Sequence, residues 1–151
     1  MARFLIDAVE CQSIDDGRWL DVVQGDRFSI PNARGENLEL PTIPGEIAQP
    51  FVRANLPIKV HGPIWGDGAT AALARASFAT RLGAVLTALG NVGDLSTLTM
   101  HPPNFALAVG TTSTITAQLV RWTAPEPQGW EQIEVDIDLL CISNPPVWVT
   151  A

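Results

Sequence analysis

The sequence has no tyrosine and a single lysine, Lys59, and its nine basic residues stand against sixteen acidic ones for a net charge of -7. A nucleic-acid-gripping surface needs clustered Lys and Arg to meet phosphates. No such cluster occurs, so the expected relation to nucleic acid is repulsion. No apolar run approaches the ~20 residues of a membrane-spanning helix. The opening MARFLIDAVEC has its apolar burst broken by Asp7, so it does not read as a signal peptide, and a cytoplasmic origin is expected. The only cysteines, Cys11 and Cys141, lie far apart in strand-like segments. They are expected to be reduced, buried and small-hydrophobe-like; a disulfide between the first and last strands is the other reading.

Catalytic signatures are equally scarce. His61 and His101 have no Cys, His, Asp or Glu at metal-site spacing, so both are expected to be structural or surface residues. There is no G-x-S-x-G, no S-x-x-K and no phosphate-cradling glycine loop. Cys141 in LLCIS has no neighbouring base to make a thiolate. No catalytic residue, cofactor site or metal site is assigned, and an enzyme is not expected.

What remains is a chain rich in apolar residues. Hydrophobic residues make up 46 % of the 151 and charged residues only 17 %, below the roughly 25 % of ordinary domains. Length predicts one domain over 1–151 with a single core. Part of the apolar surplus is expected to cover a subunit interface.

The stretch IPNARGENLELPTIPGEIAQPF, residues 30–51, sharpens that expectation. Pro31, Pro41, Pro44 and Pro50 lack the ladder donor and exclude a central strand. Yet Leu38, Leu40, Ile43, Ile47 and Phe51 are too many large apolar groups for an idle linker. ENLELP alternates as an extended arm or edge strand would. The segment 31–50 is therefore read as an arm that buries its apolar residues against another copy of the chain. Stiffening by proline lowers the entropy lost on docking.

Elsewhere strand patterns dominate. RFLIDAVEC, WLDVVQ, RFSI, FVRANLPIKVHGPIW, LSTLTM, FALAVG, STITAQLVRW and EQIEVDIDLLCIS all read as strands, with Asp16-Gly17 turning the first hairpin. Gly62-Pro63 is expected to interrupt its strand. The one helix is predicted at about 69–89, capped by Asp67 or, in competition, Thr70. Phe78, Leu82, Val85 and Leu89 form its apolar stripe. NPPVWVT is read as an extended, non-regular tail. The fold class is mainly β (α+β): an antiparallel β-sandwich or open barrel with one packed helix.

Two side-chain groups invite a functional reading. Glu134, Asp136 and Asp138 alternate with Ile133, Val135, Ile137 and Leu139, so they share one face of a strand. A glycosidase pair or calcium site would need different spacing or a glycine-bearing loop, and a solvated face is the plainer reading. Trp19, Trp65, Trp122, Trp130 and Trp148 are scattered over turns and strand ends. A sugar-binding sandwich, stacking ligands on Trp65 or Trp130, is the rival from another class.

In order along the chain, DGRWLDV, RGENLELPTIPGEIAQP, IKVHGPIWGDG, RLGAVLTALGNVGDLSTLTM, AQLVRW and IEVDIDLLCISNPPVWV resemble the distal tail proteins of long-tailed bacteriophages and the tail-tube fold they share. The resemblance implies a virion structural protein, assembled in the host cytoplasm and located in the tail. It implies a ring, typically a hexamer, that joins tail-tube and tail-tip or hub proteins and lets DNA pass without specific binding. The major tube subunit and the tail terminator are alternatives of the same fold. Many members carry a second, sugar-binding-like domain after the ring-forming one, and none follows here before Ala151. In this setting Leu38, Leu40, Ile43, Ile47 and Phe51 become interface residues, and Glu134, Asp136 and Asp138 become lumen-facing.

Overall fold

The computed structural model describes residues 4–25, 33–34, 38–39, 46–47, 52–53, 55–101, 112–124, 132–142 and 146–150. Its strands begin with β1 (Phe4–Ile6), β2 (Val9–Glu10), β3 (Gln12–Ser13), β4 (Arg18–Trp19) and β5 (Asp21–Gln24). Four short ones follow: β6 (Ala33–Arg34), β7 (Leu38–Glu39), β8 (Glu46–Ile47) and β9 (Val52–Arg53). Then come β10 (Leu56–Trp65), the helix α1 (Ala71–Leu89), β11 (Leu95–Met100), β12 (Ser113–Thr123), β13 (Gln132–Cys141) and β14 (Val149–Thr150).

Ten of these strands form one antiparallel sheet ordered β2-β1-β11-β12-β13-β10-β4-β3, with β5 also on β10 and β14 also on β12. Cys11 lies between β2 and β3, the two ends of that order. Its N–H donates to the Phe4 carbonyl at 2.9 Å, and its carbonyl accepts from the Leu20 N–H at 2.7 Å. The sheet thus curls until its ends share one residue. Of the two expected architectures, the barrel forms, and it is nearly closed. Closure disposes of sheet edges that would otherwise recruit other chains.

The barrel interior takes every second residue. Leu56, Ile58, Val60 and Ile64 of β10 meet Ile133, Val135, Ile137 and Leu139 of β13, with Ile115, Ala117 and Leu119 from β12 and Phe4 and Ile6 from β1. The predicted stripe of α1 faces this core: Val85 and Leu89 are buried, and Phe78 and Leu82 pack partly against it. Thr70 caps the helix, its hydroxyl accepting from the Leu73 N–H at 3.3 Å. Asp67, the other candidate, instead pairs with Arg81 at 3.1 Å. Replacing Thr70 with alanine should cost about 1 kcal/mol in urea unfolding.

β10 runs unbroken against β13 for ten residues despite Pro57 and Pro63. Successive backbone N–H groups point to opposite sides of a strand. The Trp65 N–H donates to the Gly17 carbonyl, on the β4 side, so the missing donors at Pro63 and Pro57 also fall on that side. The β13 ladder never needs them. The break appears opposite, at Leu20, where β4 stops and β5 begins. The expected interruption at Gly62-Pro63 is therefore transferred to the neighbouring strand, and WLDVVQ becomes two strands.

Two further expectations are corrected. RFLIDAVEC is a hairpin, with β1 and β2 paired about Asp7-Ala8 and Asp7 at φ 51°. The Asp7 N–H and carboxylate both bond the Thr97 backbone, which fixes the turn. The closing segment is not irregular: β14 pairs with β12, and Trp148 is buried with its indole N–H on the Gly25 carbonyl at 2.8 Å. The predicted strands RFSI and FALAVG lie outside the described residues.

Candidate functional site

The outer face of β10 and β13 carries most of the sequence-predicted polar residues. Alternation along β13 puts Glu134, Asp136 and Asp138 outside, opposite its buried aliphatic residues. The register sets His61 of β10 against Asp136 and Lys59 against Asp138, and β5 brings Asp21 beside His61. His61 Nδ1 lies 2.6 Å from Asp136 Oδ1, and its Nε2 lies 3.2 Å from Glu134 Oε2. A neutral imidazole has one N–H, so both contacts are hydrogen bonds only when the ring is protonated. Arg121 of β12 reaches Asp138 Oδ2 with Nη2 at 2.8 Å and Nε at 3.1 Å.

The acidic row is therefore a regular, solvent-facing strip with counter-charges woven in from both neighbouring strands. Four carboxylates face two permanent cations and one histidine. Exposed pairs of this kind contribute about 0–1 kcal/mol each, so the strip shapes a surface potential more than it holds the fold. Sequence reasoning grouped the carboxylates but left His61 as an isolated residue. Its partnership depends on β10–β13 register, although the outward phase of VHG against EVD was already visible in the alternation. Among the described residues no group of three or more His, Cys, Asp or Glu has the arrangement of a metal site. His101 Nδ1 lies 3.2 Å from the Thr112 hydroxyl.

A second polar group sits between the β3–β4 turn and α1. Arg81 donates to the Trp65 carbonyl at 2.8 Å and to Asp67, and Arg18 donates to the Glu10 carbonyl at 2.9 Å. Asp16, from the predicted turn pair Asp15-Asp16, is 3.9 Å from Arg18. Both arginines donate to backbone carbonyls and also pair with a carboxylate, so the groove they line with Asp15, Ser77 and Thr80 is a structural cross-link of turn, strand and helix. Arg81→Ala should lower stability by about 2 kcal/mol, read by urea unfolding, because a charged donor to the Trp65 carbonyl is removed.

Cys11 and Cys141 are buried and unbridged. Burial pushes the Cys11 thiol up to about 12, outweighing a backbone hydrogen bond and the nearby Arg18. Alkylation at pH 8 should therefore be slow on the native protein and fast in urea. Because unfolded thiols ionise near 8.5, this group costs stability progressively above that pH, until its folded form also titrates near 12.

Of the predicted arm, Leu38 and Ile47 lie in register in the pair β7–β8, beside Glu39 and Glu46. The flanking pair β6–β9 sets Ala33 against Arg53 and Arg34 against Val52. Leu40, Ile43 and Phe51 are outside the described residues. Among the tryptophans, Trp148 is core, Trp19 and Trp122 are partly exposed, and Trp130 is outside the described residues.

The described residues thus form a near-closed antiparallel barrel with one helix against its core and two short strand pairs between β5 and β10 in sequence. No protein-family model matches the chain, and no curated protein matches it. A solved structure does: the Dit protein (gp 19.1) of phage SPP1, described as a paradigm of the hub adsorption apparatus in phages infecting Gram-positive bacteria, aligns with a TM-score of 0.58 at 11 % identity. The alignment covers 93 % of this chain and 49 % of that one, so the chain spans about half the length of the Dit chain. The fold expected from the resemblance, that of a phage distal tail protein, is the fold observed.

Proposed function

We propose that this chain is a structural subunit of a phage tail, forming the ring that joins the tail tube to the tip or hub. The observation that carries this reading is the likeness to SPP1 Dit over 93 % of the chain. The composition supports it, since apolar residues reach 46 % where charged ones stop at 17 %. In the ring the arm, with Leu38, Leu40, Ile43, Ile47 and Phe51, lies across a neighbouring subunit. The outer strip with Glu134, Asp136 and Asp138 faces the lumen, repeated by each subunit. Phosphates passing there meet a net excess of carboxylates, and DNA slides without sticking.

Sizing with light scattering, followed by negative-stain microscopy, tests the assembly. Rings with a central hole that do not stack support the distal ring; indefinite stacks support the tube subunit instead. For the lumen, the triple variant E134K/D136K/D138K is expected to assemble but to stall genome ejection. Normal infectivity from that variant would refute the lumen assignment.

A further inference from the structure

Three strands meet at His61. On one side β13 sets Asp136 directly opposite it and Glu134 two residues along, opposite Pro63; on the other side β5 sets Asp21 against it. The other charges of this face are already engaged. Arg121 holds Asp138 through Nε and Nη2, Lys59 stands against Asp138 from β10, and the Gln12 amide donates to Asp21. Among the described residues, His61 is then the only group able to carry positive charge that contacts Asp136 or Glu134. Glu134 also accepts from the neutral Gln132 amide at 3.4 Å. The ring and both carboxylates are about half exposed, so they can rearrange without opening the barrel.

The two contacts make opposing demands on a neutral ring. An imidazolium donates from both nitrogens and satisfies both carboxylates; a neutral imidazole donates from one and turns a lone pair out at the other. A lone pair at either contact distance is repelled by the carboxylate oxygen, so a neutral His61 keeps one partner only. Asp136 is the one kept. It makes the shorter contact, 2.6 Å against 3.2 Å, and lies directly across the ladder. Its side chain also has less rotamer freedom to lose than that of Glu134.

We infer that His61 is a proton-operated clasp: charged, it ties Glu134 and Asp136 together across one ring; neutral, it keeps Asp136 through Nδ1–H and releases Glu134 into solvent. The clasp also sets the charge of the strip. Asp21, Glu134, Asp136 and Asp138 against Lys59 and Arg121 leave an excess of two negative charges, and the closed clasp reduces it to one. The inference concerns the single chain and does not depend on the ring reading.

Long-range proton–nitrogen NMR spectra of the ring, assigned by their loss in His61→Gln, test both states across the range in which histidine changes charge, about pH 5 to 8. At the acid end both ring nitrogens should carry protons. At the basic end the proton should sit on Nδ1, the reverse of the Nε2–H form that free histidine favours. Asp136→Ala should restore that ordinary tautomer, because the partner that selects Nδ1–H is gone. The side-chain carboxyl carbon of Glu134 should shift in step with the ring in the wild type and lose that step in His61→Gln. A wild-type ring in the Nε2–H form at the basic end would overturn the clasp. So would an unchanged tautomer in Asp136→Ala, or a Glu134 carboxyl carbon that behaves identically with and without His61.

Discussion

Gly62→Ala should destabilise the protein by more than about 3 kcal/mol, beyond the 1–3 kcal/mol typical of overpacking. A Cβ at Gly62 would sit 2.0 Å from the Trp19 carbonyl oxygen and 2.8 Å from the Leu20 Cα. Both are backbone atoms, so no side chain can swing away. Relief would require β10 to part from β4 and β5 at the place where Pro63 already withholds a ladder donor. Urea unfolding followed by tryptophan fluorescence is the check, and a midpoint close to wild type would mean the two segments cross less tightly. A control separates this from helix or strand propensity: Gly83→Ala, on α1 with nothing within 4 Å of the added carbon, should be neutral or stabilise by up to about 1 kcal/mol.

Trp148→Ala is expected to cost about 3–5 kcal/mol, the range for removing a large aromatic from a core. The indole is buried, and its N–H satisfies the Gly25 carbonyl. The substitution leaves a cavity beside the barrel and an unpaired carbonyl at the end of β5. Trp148→Phe keeps most of the volume and loses only the donor, so it should cost about 1–2 kcal/mol. If both variants unfold at the wild-type midpoint, the closing strand contributes nothing to the barrel. Loss of fold in the alanine variant with partial rescue in phenylalanine is the expected pattern.

These two sites also show what the sequence made legible and what it did not. The inward and outward phases of β13 and the stripe of α1 follow from local periodicity, and both stand in the structure. The Asp16-Gly17 hairpin stands as well, because its chemistry is carried by adjacent residues. What escaped was set by partners distant in the chain. Trp148 looked like part of a loose tail because its hydrogen-bond acceptor is Gly25. Pro63 looked like a strand breaker because the side on which its donor is missing depends on which neighbour is β4. Asp7 looked like a mid-strand residue because its turn is fixed by Thr97.

The candidate site divides in the same way. Alternation alone collected Glu134, Asp136 and Asp138 on one face. It could not supply His61, Arg121 and Lys59, which arrive there through the registers of β10–β13 and β12–β13. A face predicted as plainly acidic is thus a mixed strip with an acidic excess.

The sheet order has a consequence for how the molecule is born. β13 lies between β12 and β10, and Cys11 joins the two ends of the order. Until residue 141 has been made, β10 lacks its longest partner. Contacts that span most of the chain are the last to form and the slowest to find. Closure of the barrel waits for β13, whose residues are synthesised after both of the strands it pairs with, β10 and β12.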